Sequence, residues 1–415
     1  MSATLAVDGG TPVRDDPLPL IRVSFDEREK RQIQSVLDAG VFCSAMPAAT
    51  KVRRLEADFA RCVGARHAVA FSSGTTAQHA ALAAHGIGRG DEVVVPPLTF
   101  ISTAYTVLMR GATVVFADVD EDTFNLDPAR VAEKITRRTR AVVPVHWFGH
   151  PVDMDPLLTL ARKHGLAVIE DCAHALGSRY RGRAVGTLGA IACWSLQESK
   201  LITAAGEGGM FTTDDDALAD AARMLRDHGK SQRHDPGQRG YRVVVVGNNC
   251  RMTEIQAAFA IAQLDKLDAF NAARRAHTAF LDATLGRMPQ LRRPARRPDV
   301  EPVFPYYPIR FLSDRFNVGL HRICDALTAE GIGNSDIAQH EMCHVHPLFT
   351  EQSTPGASPY GPGTLPVAER IAEELVILPL HPNLTRRDLG DIVAAVEKIV
   401  AAYGSQPDSV RGHQR

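Results

Sequence analysis

Lys200 lies between the apolar run Ile191-Ala192-Cys193-Trp194-Ser195 and the glycine cluster Gly206-Glu207-Gly208-Gly209. Upstream, a second apolar run, Leu166-Ala167-Val168-Ile169-Glu170, ends in Asp171. A carboxylate at one strand end, a hydroxyl at the next and a lysine a few residues beyond form a set with a definite use. The lysine amine can condense with an aldehyde, the carboxylate can pair with a protonated pyridine nitrogen, and the hydroxyl can bind phosphate. Pyridoxal 5'-phosphate asks a protein for those three functions, so the set points to an enzyme.

Other pieces fit the same ligand. Ser72-Ser73-Gly74-Thr75-Thr76 sits between a predicted strand and a predicted helix, where free backbone N–H groups and the helix dipole attract a phosphate. Alone, such a turn is an ordinary helix start. Phe100, in Pro97-Leu98-Thr99-Phe100, offers an aromatic face to a planar cofactor, although an isolated phenylalanine is usually core packing. In Asp171-Cys172-Ala173-His174 an imidazole follows the carboxylate. Singly, Asp171 is equally a helix cap, His174 a packed histidine and Lys200 a solvated surface lysine. The order of the pieces along the chain carries the argument.

The elements that must position them alternate. Candidate strands are His67–Phe71, Glu92–Val95, Thr113–Asp118, Ala141–His146, Ala167–Glu170, Ile191–Ser195 and Met210–Thr213, with helices expected at Thr75–His85, Phe100–Met109, Pro128–Ile135 and Pro156–His164. That pattern predicts an α/β fold with a mostly parallel central sheet and helices on both faces, and ligands beyond the carboxyl ends of the strands. A long helix is expected from its N-cap Thr253 through Arg274. Pro and Arg then crowd residues 289–308 and apolar runs thin out. The expected division is a large domain with an N-terminal arm over 1–270, a smaller α+β domain over 271–403, and a disordered tail over 404–415.

The 415 residues suffice for a large core, and the net charge of -1 gives no sign of a nucleic-acid or anionic-membrane partner. Seven scattered cysteines, never spaced C-x-x-C, suit reduced thiols, and no apolar run approaches the ~20 residues of a membrane span. A cytoplasmic enzyme is expected.

Seven stretches together resemble one family: Ser73-Gly74-Thr75, Pro97–Thr103, Pro144–Gly149, Glu170–His174, Ser195–Lys200, Gly206–Gly209 and Gly247–Glu254. They resemble the DegT/StrS-like sugar aminotransferases, which are fold-type I pyridoxal phosphate enzymes, over about residues 5–403. The resemblance implies that Lys200 carries the covalent link to the cofactor, Asp171 pairs with the pyridinium and Phe100 stacks on the ring. It implies that Gly74, Thr75 and Ser195 hold the phosphate and that His174 lies near the ring hydroxyl. It further implies that Asn249 reaches the cofactor of a neighbouring subunit, so that a homodimer shares two sites. Two departures stand out. Ser195-Leu196 replaces the common Ser-Phe, and Phe42 stands where relatives often carry tryptophan.

For the acceptor, Gln197 and Leu201 occupy places where nucleotide-sugar enzymes often carry histidine and asparagine. Gln197, with Tyr306-Tyr307 ahead of Ile309-Arg310, resembles the branch that aminates keto-cyclitols such as scyllo-inosose. A small polyol calls for neutral hydrogen-bonding groups, for which the histidines at 340, 344 and 346 are candidates. A nucleotide diphosphate calls for a basic clamp, for which Arg292, Arg293, Arg296 and Arg297 are candidates. The expected reaction moves an amino group from L-glutamine to a keto-cyclitol or related aminoglycoside ketone, with a nucleotide-linked ketosugar as the alternative. A different chemistry is suggested by His340-Glu341-Met342-Cys343-His344, which matches the zinc pattern H-E-x-x-H. Pro347 close behind, Gly331 and Gly333 ahead, and the lack of an amphipathic period argue against the helix that pattern needs, so no metal is expected.

Overall fold

The computed structural model describes residues 4–231, 241–336, 342–351 and 360–405. His340 and Glu341, and residues 406–415 of the expected tail, lie outside the described residues.

Seven strands form the central sheet: β1 (His67–Phe71), β2 (Glu92–Val95), β3 (Thr113–Phe116), β4 (Thr139–Val142), β5 (Ala167–Asp171), β6 (Ile191–Ser195) and β7 (Gly209–Thr213). Their order is β1-β7-β6-β5-β4-β2-β3. β7 runs antiparallel to β1 and β6, while every other pairing is parallel. The strands are apolar on both faces, as a sheet covered by helices on both sides requires: β2 is wholly buried, and so is all of β5 but its first residue. β4 stops at Val142, short of the expected His146, because Pro144 has no N–H to give the ladder.

The helices follow their caps. Gly74–Ala84 opens with a capping box in which the Ser73 side chain accepts from Thr76 N–H and the Thr76 side chain accepts from Ser73 N–H. Thr253 caps the next long helical region in the same way. That region is not one helix. It divides into Glu254–Leu264 and Leu267–Thr284, because Lys266 N–H tightens onto the Gln263 carbonyl at 3.0 Å and its buried ammonium turns onto Glu29.

Helix Leu267–Thr284 leads to a three-stranded antiparallel sheet of Leu291–Arg292, Tyr307–Phe311 and Leu375–Leu378, with Tyr307–Phe311 in the middle. The N-terminal segment is held by charged residues of this C-terminal part of the chain. The Glu330 carboxylate accepts from the N–H groups of Ala6 and Val13, and Arg14 pairs with Asp388 and Asp391.

Candidate active site

The carboxyl ends of β5 and β6 and the start of helix Gly74–Ala84 border a cavity of about 570 Å³, a size suited to a cofactor and a small substrate. Its walls include Gly74, Thr75, Phe100, Asp171, His174, Ser195 and Lys200. Asn249 is not among them. It lies at the surface, as do the apolar residues Val243 to Val246.

Asp171, the last residue of β5, is 3% exposed. Its Oδ2 accepts from Thr103 Oγ1 at 2.8 Å and from the Gln78 side-chain amide, and its Oδ1 accepts from Ala173 N–H at 3.0 Å. Thr103 is linked in turn to Thr99 at 2.9 Å. Burial pushes the Asp171 carboxyl above its ordinary value, opposed by these donors and by the charge of Lys200. A buried carboxylate of this kind is best satisfied by a cation laid against it, and a protonated pyridine nitrogen meets that need.

Glu170, its neighbour, points to the opposite face, as the two-residue period of a strand requires. It is fully occupied by His146 at 2.9 Å and by the N–H groups of Gly186, Leu188 and Gly189. Cys172 lies near this pair, but His146 Nδ1 already accepts from Val152 N–H at 3.1 Å. The cluster's lone pairs serve the fold.

At the phosphate end, the cap uses the N–H groups of Ser73 and Thr76, leaving those of Gly74 and Thr75 at the cavity wall for an anion. Close packing builds this cradle. A Cβ on Gly74 would stand 3.1 Å from Ser195 Cβ, and one on Gly209 would stand 2.2 Å from the Ser73 carbonyl oxygen. The two glycines let β6 and β7 press against the helix start, which brings the Ser195 hydroxyl to the same place. Anion-binding amides at one end and a buried carboxylate at the other fit pyridoxal phosphate, with Lys200 between them.

Lys200 Nζ lies 2.7 Å from His174 Nε2. Burial, and then the charge of Lys200, hold the His174 pKa well below its usual range, so the imidazole is neutral. Its ring stacks on Phe148 at 6.0 Å between centroids with 10° between planes. Phe148 is held at φ +48°, the left-handed region where a bulky residue is strained, and the turn it makes brings its ring under His174. Phe100, 55% exposed, presents its ring at the mouth.

The sequence reasoning gives no role to Gln78, Tyr105 or Trp147, which also line the cavity, as does Tyr306. Only Tyr306 of the Tyr306-Tyr307 pair faces it, since Tyr307 hydrogen-bonds Asp282 at 3.0 Å. The four candidate arginines are engaged elsewhere: Arg292 with Asp122, Arg293 and Arg296 with Asp282, and Arg297 with Asp153 and Asp299. His344 does not line the cavity either. It is buried, with Nε2 3.0 Å from Glu369, in a short turn rather than a zinc-binding helix.

The fold and this cavity define the class: a pyridoxal phosphate-dependent aminotransferase of fold-type I. The chain belongs to the DegT/DnrJ/EryC1/StrS aminotransferase family, whose sequence profile matches residues 23–397. It is 41% identical over 346 residues to the GDP-perosamine synthase of Caulobacter vibrioides, covering 83% of this chain and 89% of that protein. It is 37% identical over 389 residues to the spore coat polysaccharide biosynthesis protein SpsC of Bacillus subtilis, covering 92% and 96%. Among solved structures, the aminotransferase from Psychrobacter cryohalolentis superposes with a TM-score of 0.85 at 32% identity, covering 93% of this chain and 99% of that one. The sugar aminotransferase CalS13 from Micromonospora echinospora gives 0.81 at 29%, covering 91% and 99%. No helix among the described residues is long and apolar enough to cross a membrane.

Proposed function

We propose that this chain transfers an amino group from an amino acid to the ketone of a nucleotide-linked sugar. The observation that carries the acceptor class is the 41% identity to a protein whose name places its product on GDP. In this account Lys200 is the residue that bonds the cofactor and then moves protons. The Asp171 carboxylate, fixed by Gln78, Thr103 and Ala173, holds the ring nitrogen protonated. The N–H groups of Gly74 and Thr75 and the Ser195 hydroxyl take the phosphate, and Phe100 covers the ring. When bound, the cofactor supplies an electron sink for charge developing at the donor's α-carbon. Lys200 Nζ accepts the α-proton and later returns a proton to the acceptor carbon, and neutral His174 at 2.7 Å orients the amine while adding no cationic charge.

We assign Asn249 to the cofactor phosphate of a second copy, because the residue is exposed and absent from its own chain's cavity. A homodimer with shared sites would place it there and cover the apolar run Val243–Val246.

The keto-cyclitol acceptor expected from the sequence becomes the second reading. Gln197 and Tyr306 line the cavity, and the four candidate arginines are paired off outside it, which suits a neutral polyol. The two readings part in one half-reaction. The amine form of the loaded enzyme is mixed with a GDP-linked ketohexose or with scyllo-inosose, and the return of the imine absorbance is followed. Return with the nucleotide sugar alone supports the proposal, and return with scyllo-inosose alone reverses it in favour of the cyclitol.

A further inference from the structure

Met342, Cys343 and His344, the described part of the H-E-x-x-H motif, form a turn that is tied on both sides. On one side His344 Nε2 lies 3.0 Å from Glu369, whose carboxylate also accepts from the N–H groups of Gly363 and Leu365 at 2.7 and 3.0 Å. On the other side the turn meets the segment that leads into Phe100. Met342 and Leu98 form an antiparallel bridge, the Cys343 N–H donates to the Pro97 carbonyl at 2.8 Å, and the Cys343 thiol donates to the Thr99 carbonyl at 3.1 Å. Cys343 is 0% exposed and Thr99 2%. Among the described residues no other group donates to the Thr99 carbonyl.

Thr99 is the far end of a short chain of hydroxyls. Thr103 has one hydroxyl proton and gives it to Asp171 at 2.8 Å, so in the 2.9 Å contact between the two threonines Thr99 is the donor. That donation polarises the Thr103 hydroxyl and strengthens its bond to the carboxylate. The chain holds only while the Thr99 backbone stays in place. A buried carbonyl that loses its donor is costly, and the peptide rotation that would find it another displaces Phe100 and loosens Thr99 on Thr103.

We propose that Cys343 is a positioning residue of the cofactor site, holding the Pro97–Thr99 backbone so that Thr99 and Thr103 bring their hydroxyls in series to Asp171. The brace runs from Glu369, through His344 and Cys343, to the carboxylate assigned to the ring nitrogen. It rests on the assignment of pyridoxal phosphate to this cavity, and failure of that assignment would show separately, as a wild-type protein without an imine band.

The test follows two properties: the affinity for pyridoxal phosphate, titrated into the stripped protein, and the pH midpoint of the imine absorbance in the loaded enzyme. The second does not respond to a general loss of stability. Cys343→Ala should weaken the affinity about fivefold, the effect of one neutral hydrogen bond. It should also raise the midpoint, because a ring nitrogen less firmly protonated withdraws less charge from the imine. Cys343→Ser keeps a donor and should recover most of both. Either quantity at its wild-type value in C343A, or a serine variant that behaves like the alanine one, overturns the proposal. A measurement on the unaltered protein decides the matter if C343A does not fold. Coupling between two sites is reciprocal. Pyridoxal phosphate should therefore slow hydrogen exchange at the Cys343 amide by more than it slows exchange in helix Arg386–Tyr403, although Cys343 is not on the cavity wall. Equal slowing in the two places overturns the proposal.

Discussion

Replacing Asp171 by Asn isolates one charge with little other damage. In the wild type Oδ1 accepts from Ala173 N–H, and Oδ2 accepts from Thr103 and Gln78. In Asp171→Asn the remaining oxygen keeps Ala173. The new amide faces Thr103, whose hydroxyl can rotate to accept, and Gln78, whose Oε1 has no partner and can be turned inward. The hydrogen bonds are therefore recoverable, and the fold should melt within a few degrees of wild type. What is lost is the anion proposed to face the cofactor's ring nitrogen. A hydrogen bond to a charged group contributes about 1.5–3 kcal/mol, which corresponds to roughly 10- to 150-fold weaker cofactor binding. Turnover should fall further, by about a hundredfold or more, because an unprotonated ring is a poorer electron sink. Absorbance titration of the stripped enzyme with pyridoxal phosphate gives the first quantity and steady-state kinetics the second. Unchanged cofactor affinity together with turnover within threefold of wild type would refute the role assigned to Asp171.

Gly209→Ala should cost both stability and cofactor affinity, since its Cβ would stand 2.2 Å from the Ser73 carbonyl and force β7 off the helix start; thermal melting and cofactor titration check this, and a wild-type affinity would contradict it. Against burial, which pushes the carboxyl up, His146 and the N–H groups of Gly189 and Gly186 hold Glu170 below its ordinary pKa. A lowered folded value stabilises the protein above the unfolded value of ~4.3 and loses that stability as pH falls through the folded value. Glu170→Gln should therefore be about 3 kcal/mol less stable near neutrality and show a flatter acid limb in urea unfolding against pH; an unchanged acid limb would count against a buried, hydrogen-bonded Glu170 carboxylate. If sites are shared, mixing inactive Lys200→Ala with inactive Asn249→Ala under subunit exchange should restore part of the activity, and no recovery despite demonstrated exchange would sink the shared site.

Much of the site is legible in the chain because its parts sit at strand ends, where short apolar runs meet polar residues. Asp171 closes β5 and Ser195 closes β6, and the parallel pairing of those strands, with Asp171 opposite Cys193, brings both to one edge of the sheet. Ser73 and Thr253 announce their helices through local capping chemistry that needs no tertiary information. The groups that hold Asp171 are a different matter. Gln78 and Thr103 come from two helices far along the chain, and nothing in their local sequence says that both face β5. The need for Gly209 is equally nonlocal, since it arises from the approach of β7 to the Ser73–Gly74 peptide. The four arginines at 292–297 read as a clamp because charge is visible in a sequence, whereas two of the acids that neutralise them, Asp122 and Asp153, lie far away in the chain. The same blindness applies to His344, whose pairing with Glu369 is set by tertiary packing.

The central claim is that Lys200 carries pyridoxal phosphate in the cavity between Asp171 and the Gly74–Thr75 amides. Reduction of the yellow holoenzyme with borohydride, followed by proteolysis and mass spectrometry, tests it most directly. The account predicts loss of the visible band and a phosphopyridoxyl group on the peptide containing Lys200 alone. The same adduct on another lysine, or cofactor that washes away unreduced, would contradict it.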